Sequence, residues 1–276
     1  MKPAPFEYVR PQTLPEANFA LANAQGTAVA IAGGQSMMPL LALRMVPAAL
    51  VVDIGRLDEL KGVTDVRDVV RIGAATTHAE IEDGKVPDPS GGLMRKVAAG
   101  IAYRAVRNHG TIGGSVALAD PAADWPVCLM ALGATARIAG LDSERTEPVA
   151  DLVQGAYTTS LTQGEVITAF DVPRCAKPPR FGYAKVVRKS GAFAMAIGCV
   201  VVPADAAARV VLGGTTTKAQ MLPKAAALLG GGAPPSEDAL RAAIAADLAT
   251  AVPDADAYQQ RLYTATILRA AREALQ

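Results

Sequence analysis

The sequence predicts an α+β protein, and three observations carry the prediction. Two apolar runs, Ala28–Ala32 and Leu50–Ile54, read as buried strands on either side of a short helical segment, and the first ends in Gly33-Gly34. Further strand segments at Val69–Ile72, Thr135–Ala139 and Val166–Val172 alternate with helical stretches in the middle of the chain. Finally, three strand segments, Phe181–Arg188, Ala194–Val202 and Arg209–Gly213, are followed only by Ala-rich helical sequence, the order of a sheet with helices gathered on one face.

Each element has a local reason. Phe6-Glu7-Tyr8-Val9 is a short strand candidate, and Leu14–Ala24 has a helical pattern with Pro15 in the first turn, where its missing N–H is harmless. Pro39–Arg44 reads as a helical turn. Thr77 with Glu80 three residues later has the spacing of a capping box. Val86–Gly92 has the turn chemistry of a surface loop, and a helix is expected from Leu93 to Arg104. Asp120, before Pro121, is expected to cap a helix running to Leu132, with Asp124 in its first turn, where a carboxylate suits the helix dipole. Helices are expected at Lys218–Leu229 and Ser236–Ala246, separated by a Gly230–Pro235 loop, and from Ala257 to Leu275. The chain divides at 1–58, 59–173 and 179–276, with 174–179 as a linker.

Composition narrows the function. The 276 residues are 51% hydrophobic with a formal net charge of +1, which gives no general attraction for nucleic acid and excludes a disordered tail protein. No apolar run reaches the length of a membrane span, and the Pro-rich start with Glu7 lacks the features of a secretory signal, so a cytoplasmic location is expected. Cys128, Cys175 and Cys199 are far apart and odd in number, and His78 and His109 are the only histidines. No metal site held by this chain is expected.

Two glycine segments carry the chemistry. Ala32, Gly33, Gly34, Gln35 and Ser36 follow a strand directly, where glycine lets a ligand approach the backbone and successive N–H groups suit a phosphate. Thr111, Ile112, Gly113, Gly114 and Ser115 repeat the pattern. Both read as loops, and either one alone is more often a turn than a phosphate site. Neither has the spacing of a Rossmann fingerprint or a P-loop, so the pair points to a nucleotide site of another type. Arg104, Arg107 and His109 are either solvated surface charge or a basic collar for the phosphates.

Four motifs in order, Ala32–Leu40, Thr76–Ile81, Val106–Ser115 and Ala119–Asp124, resemble the medium, FAD-binding subunit of the carbon monoxide dehydrogenase/xanthine dehydrogenase (molybdenum hydroxylase) family. The likeness extends through Phe181–Val186 to the Tyr258–Ala271 helix. It implies a two-part FAD-binding domain of the vanillyl-alcohol-oxidase (PCMH) type, at 1–58 and 59–173. A C-terminal α+β domain with a three-stranded antiparallel sheet would follow. It also implies that Ala32–Ser36 and Thr111–Ser115 wrap the FAD pyrophosphate, that Asp124 bonds the sugar-like portion, and that Ile101 and Ile167 touch the flavin. Lys185 would lie beside the ring and favour its anionic reduced forms. Gly55 and Arg188-Lys189 depart from common family residues without touching the glycine segments. Val86–Gly92 carries no cysteine-bearing insertion, which argues against a further iron–sulfur cluster in this chain.

The function so implied is an oxidoreductase subunit with no catalytic residue of its own for the substrate. Partners would be a large molybdenum–pterin subunit that hydroxylates substrate and a small subunit with two [2Fe–2S] clusters, in an (αβγ)2 assembly. FAD here would accept the electrons and release them to an external acceptor. A stand-alone flavin oxidase or reductase is the alternative. It needs its own acid/base residues, which the Ala-rich tail after Lys218 does not supply. A non-catalytic nucleotide-binding module would lack a flavin's bleachable colour.

Overall fold

Three strands open the chain and pair in parallel: β1 (Glu7–Val9), β2 (Ala28–Ile31) and β3 (Leu50–Asp53), in the order β1-β3-β2. The computed structural model that places them describes residues 2–230 and 233–276. Parallel neighbours require crossovers, which α1 (Leu14–Ala22) and α2 (Met37–Ala42) provide. Thr13 caps α1 by accepting from the Glu16 amide, and Pro15 sits in the first turn. Ala17 and Leu21 of α1 bury against Val52, Leu57 and Leu60 to make the first core.

A second sheet is antiparallel, in the order β4-β5-β10-β6-β7. Its strands are β4 (Val63–Val66), β5 (Val69–Gly73), β6 (Thr135–Ala139), β7 (Glu144–Pro148) and β10 (Val166–Pro173). Between β5 and β6 run α3 (His78–Glu82), α4 (Leu93–Ala99), α5 (Arg104–Arg107), α6 (Ile112–Leu118) and α7 (Asp124–Leu132). After β7 come α8 (Val149–Leu152) and a small hairpin, β8 (Val153–Gly155) with β9 (Thr158–Thr159).

The third sheet has the order β11-β12-β13-β14, formed by β11 (Arg180–Val187), β12 (Ala194–Val202), β13 (Arg209–Gly213) and β14 (Gln220–Met221). Helices α9 (Pro223–Leu229), α10 (Glu237–Ala251) and α11 (Ala257–Ala274) cover one of its faces. The strand period of two explains how β12 serves two cores. Ile197, Cys199 and Val201 face α7 and the middle of the chain, while Ala196, Val200 and Val202 face α9–α11. All nine residues of α7 are buried, the pattern of a helix enclosed on every side. The residues before and after the 174–179 segment therefore share one core.

Several expectations need correction. The helix from Leu93 ends at Ala99, and α5 is a separate turn, because Gly100 and the left-handed Ala102 (φ 43°) break the path. Thr111–Ser115 is not a loop: Thr111 caps α6, and both glycines lie inside its first turn. Asp120 does not cap α7; it accepts from the Ala122 amide at 2.9 Å in a tight turn, and Ala123 precedes the helix. The C-terminal sheet has a fourth short strand, β14, in the stretch where the sequence predicts the start of a helix. That helix starts only at Pro223, and the buried Asp247 of α10 caps it from outside by accepting from the Lys224 and Ala225 amides. α10 continues past Ala246 to Ala251. Strands β4, β7, β8 and β9 are additions to the expected set, being short or polar. Of the Gly230–Pro235 loop, residues 231 and 232 lie outside the described residues.

Candidate functional site

The site forms where the carboxyl ends of β2 and β3 meet the start of α6. β2 ends at Ile31, and Gly34 takes a left-handed φ of 70° so that the chain can turn into α2. Gln35 folds its amide back onto the Gly33 carbonyl at 3.1 Å. The amides of Gly33, Gly34, Gln35 and Ser36 donate to no protein acceptor among the described residues. Ser36 and Gln35 are exposed, and the Ser36 hydroxyl makes no capping bond. Four free consecutive N–H groups just after the end of β2 are a donor set suited to a phosphate.

Gly33 also brings the two glycine segments together. A Cβ there would lie 2.0 Å from the His109 carbonyl oxygen and 2.9 Å from the Gly110 Cα. Only glycine permits this approach.

The second segment works differently from the first. Its amides are engaged: Ile112 donates to Thr76 O at 3.0 Å, Gly113 to Ala74 O at 2.9 Å, Ser115 to Thr111 O at 3.1 Å, and Gly114 to Thr111 Oγ1 at 3.1 Å. Ile112 is buried in the core, and Gly113 packs so closely that a Cβ would sit 2.5 Å from Ala74 Cβ. Gly114 is exposed, and an added Cβ would meet only Thr111 Oγ1. This segment therefore offers an open, side-chain-free helix start with Ser115 beside it. It is not a second set of free amides.

A third group assembles from distant parts of the chain. Lys185 Nζ, on β11, lies 2.9 Å from the Asp124 carboxylate at the start of α7 and 3.2 Å from the Gly100 carbonyl. The Tyr183 hydroxyl donates to the same carboxylate. The Asp124 side chain is 6% exposed and that of Lys185 13%. Burial pushes the Asp124 carboxyl up, against the Lys185 ammonium and the two hydrogen bonds that favour its charged form. Ile101 follows Gly100 in the chain and is half-buried at the edge of the core. Ile167, on β10 opposite Ile138, is enclosed in that core.

Arg104 and Arg107 turn away from the glycine segments. Arg104 grips Asp83 through two bonds of 2.7 and 2.8 Å and holds its carboxyl down to about 2. Arg107 grips Glu82 at 2.8 and 3.0 Å. His109 keeps its ring exposed while its carbonyl meets Gly33.

Sequence reasoning missed Tyr183, although its place two residues before Lys185 on one strand puts both on the same face. It also missed the buried bond from Trp125 Nε1 to His78 Nδ1, 3.0 Å long, which joins residues far apart in the chain. Among the described residues, no cluster of three His, Cys, Asp or Glu side chains can hold a metal, and no helix is long and apolar enough to cross a membrane.

The free amides, the open helix start and the glycine contact fit a bound dinucleotide: phosphate oxygens need donors, and the backbone here leaves room for them. Comparison with known proteins agrees. Residues 4–175 match the family described as the FAD binding domain in molybdopterin dehydrogenase. The chain is 36% identical over 205 residues to the 6-hydroxypseudooxynicotine dehydrogenase complex subunit alpha of Paenarthrobacter nicotinovorans, covering 74% of this chain and 69% of that one. It is 38% identical over 196 residues to the glyceraldehyde dehydrogenase medium chain of Sulfolobus acidocaldarius, covering 71% and 69%. A solved chain of carbon monoxide dehydrogenase from Hydrogenophaga pseudoflava, lacking the Mo-pyranopterin moiety of its cofactor, superposes with a TM-score of 0.91 at 30% identity. That alignment covers 100% of this chain and 99% of the other. This chain therefore belongs to the FAD-binding medium subunits of the molybdenum hydroxylase family, an oxidoreductase family.

Proposed function

We propose that the chain is the electron-relay subunit of a molybdenum hydroxylase complex. Electrons would arrive from [2Fe–2S] clusters on a small partner subunit, after a molybdenum–pterin subunit has oxidised the substrate. They would leave for an external acceptor. Bound FAD supplies the redox chemistry, accepting and releasing electrons with partners of different kinds. The observation that carries the reading is the set of four free amides at Gly33–Ser36, held against Gly110 beside the exposed Gly114.

In this reading Ala32–Ser36 bind the pyrophosphate through their amides, with Ser36 adding a hydroxyl. Thr111–Ser115 present the open start of α6 to the same group, Gly114 and Ser115 being its accessible members. Asp124 bonds the sugar-like portion of the cofactor, and its partner Lys185 lies with Ile101 beside the flavin. The pair is near neutral as a unit, and Lys185 can compensate negative charge that develops nearby, at the expense of its bond to Asp124. Ile167 contributes from behind, as packing beneath the site. Residues 1–58 and 59–173 form the two parts of the FAD domain, and 179–276 the C-terminal domain. The assembly is (αβγ)2 and cytoplasmic.

Co-production with the two partner subunits tests this directly. The complex is expected to carry one FAD per copy of this chain, bleached by dithionite and reduced by the organic substrate of the complex. This chain purified alone should not oxidise that substrate. Turnover by the isolated chain would favour a stand-alone flavoenzyme instead, and a complex without flavin would overturn the reading.

A further inference from the structure

His78 opens α3 immediately after its capping residue Thr77, and it is 5% exposed. Trp125 Nε1 donates to its Nδ1 at 3.0 Å. An indole N–H is a donor only, so Nδ1 must be the acceptor, and the neutral ring carries its proton on Nε2. The backbone amide of His78 donates to the Gly110 carbonyl at 2.9 Å. The far edge of the ring lies on Gly110: a Cβ there would be 2.8 Å from Nε2 and 2.9 Å from Cδ2. Gly110 Cα is itself 2.9 Å from where a Gly33 Cβ would stand. A continuous stack, Trp125–His78–Gly110–Gly33, thus joins the residue after Asp124 to the segment with the free amides.

We propose that His78 is a positioning residue for the cofactor, its imidazole fixed by Trp125 and setting, through Gly110, the position of the Gly33–Ser36 amides. The proposal rests on the reading that those amides hold FAD. A planar ring of fixed tautomer is a stiff spacer, and amide–phosphate bonds weaken steeply once distance or angle departs from its optimum. With a smaller side chain at 78, the His109–Gly110 segment can settle into the space, and the Gly33 loop that rests on it follows. Gly110 does not need glycine for its backbone angle, since its φ is not in the left-handed region; it needs glycine because the ring is there.

The test uses the full chain in its complex, with FAD affinity, flavin visible circular dichroism and melting temperature measured on each variant. His78→Ala should weaken FAD binding by about tenfold, the ratio set by a modest loss of hydrogen-bond geometry. Gly110→Ala should do the same by collision with the ring. The double variant should recover most of the affinity and the dichroism, because the methyl group introduced at position 110 occupies the vacated space. His78→Asn, which keeps an acceptor for Trp125, should fall between wild type and His78→Ala. Ile244→Ala, in the distant core on α10, supplies a control for lost stability alone. The proposal is overturned if His78→Ala binds FAD as tightly as Ile244→Ala, or if the two substitutions at 78 and 110 simply add. A wild-type complex without FAD would bring down the reading of the amides together with this proposal.

Discussion

Replacing Gly33 by alanine puts a methyl group 2.0 Å from the His109 carbonyl oxygen and 2.7 Å from its carbon. Carbon and carbonyl oxygen do not approach so closely, and both contacts are backbone, which cannot rotate aside. The two segments must separate by about an ångström. Overpacking of this kind costs about 1–3 kcal/mol of stability. The effect on the cofactor should be larger than the effect on the fold. An ångström of displacement takes an amide–phosphate bond of ordinary length out of hydrogen-bonding range. Losing two such bonds, at about 1.5 kcal/mol each, weakens FAD by roughly a hundredfold.

FAD content per chain and the FAD dissociation constant are the readouts, with the melting temperature measured on the same samples. Gly155→Ala is the control, because its Cβ would meet nothing closer than Thr158 Cβ at 3.7 Å and its φ is not left-handed. Retention of wild-type FAD affinity by Gly33→Ala would refute the argument, since it would mean that the cofactor does not depend on this contact. A loss of affinity matched by a general loss of folding would also refute it.

Three further predictions follow from the same geometry. Gly113→Ala should cost about 1–3 kcal/mol of stability, since its Cβ would strike buried Ala74, whereas Gly114→Ala, which meets only the Thr111 hydroxyl at 2.9 Å, should cost less stability and lose FAD affinity; thermal melts and FAD titration separate the two. Lys185→Met should destabilise the chain by about 3–5 kcal/mol by leaving Asp124 buried without its cation, and adding Asp124→Asn should restore part of it, measured by denaturant unfolding. His78, held down to about 4 by burial and then by the Arg107 charge, is neutral when folded, so the unfolded chain binds more protons between about 4 and 6.5. Stability should therefore fall as pH drops through that window, by about 3 kcal/mol in all, and His78→Asn should flatten the slope of melting temperature against pH.

The parts of this molecule that are legible in the sequence are those decided by neighbours along the chain. The capping box of Thr77 and Glu80 is present as read, because both partners lie within one turn of helix. The strands β2 and β3 and the glycines after β2 are equally plain, since an apolar run and its terminator are adjacent. The fourth strand of the last sheet is not, because two residues of β14 gain their status only from β13. The start of α9 is hidden for a similar reason: its cap is Asp247, more than twenty residues later.

The two glycine segments show how far composition carries and where geometry must take over. Both read alike in the sequence, and both are rich in glycine for a physical reason, yet the reasons differ. At Gly33 the missing Cβ lets two backbones touch and leaves a run of amides free. At Gly113 it lets α6 press on Ala74, and there the amides are already bonded to the turn beneath. Only Gly114 keeps an open face. What distinguishes them is the partner across the contact, and that partner comes from another part of the chain. The same holds for Asp124, whose carboxylate at the start of α7 faces Lys185 and Tyr183 of the C-terminal sheet. A carboxylate has about four lone-pair sites, and Tyr183 and Lys185 occupy two of them, so Asp124 can accept from a sugar hydroxyl as well. Such a bond would favour the charged carboxylate that burial disfavours, which couples cofactor binding to the Asp124–Lys185 pair joining α7 to β11.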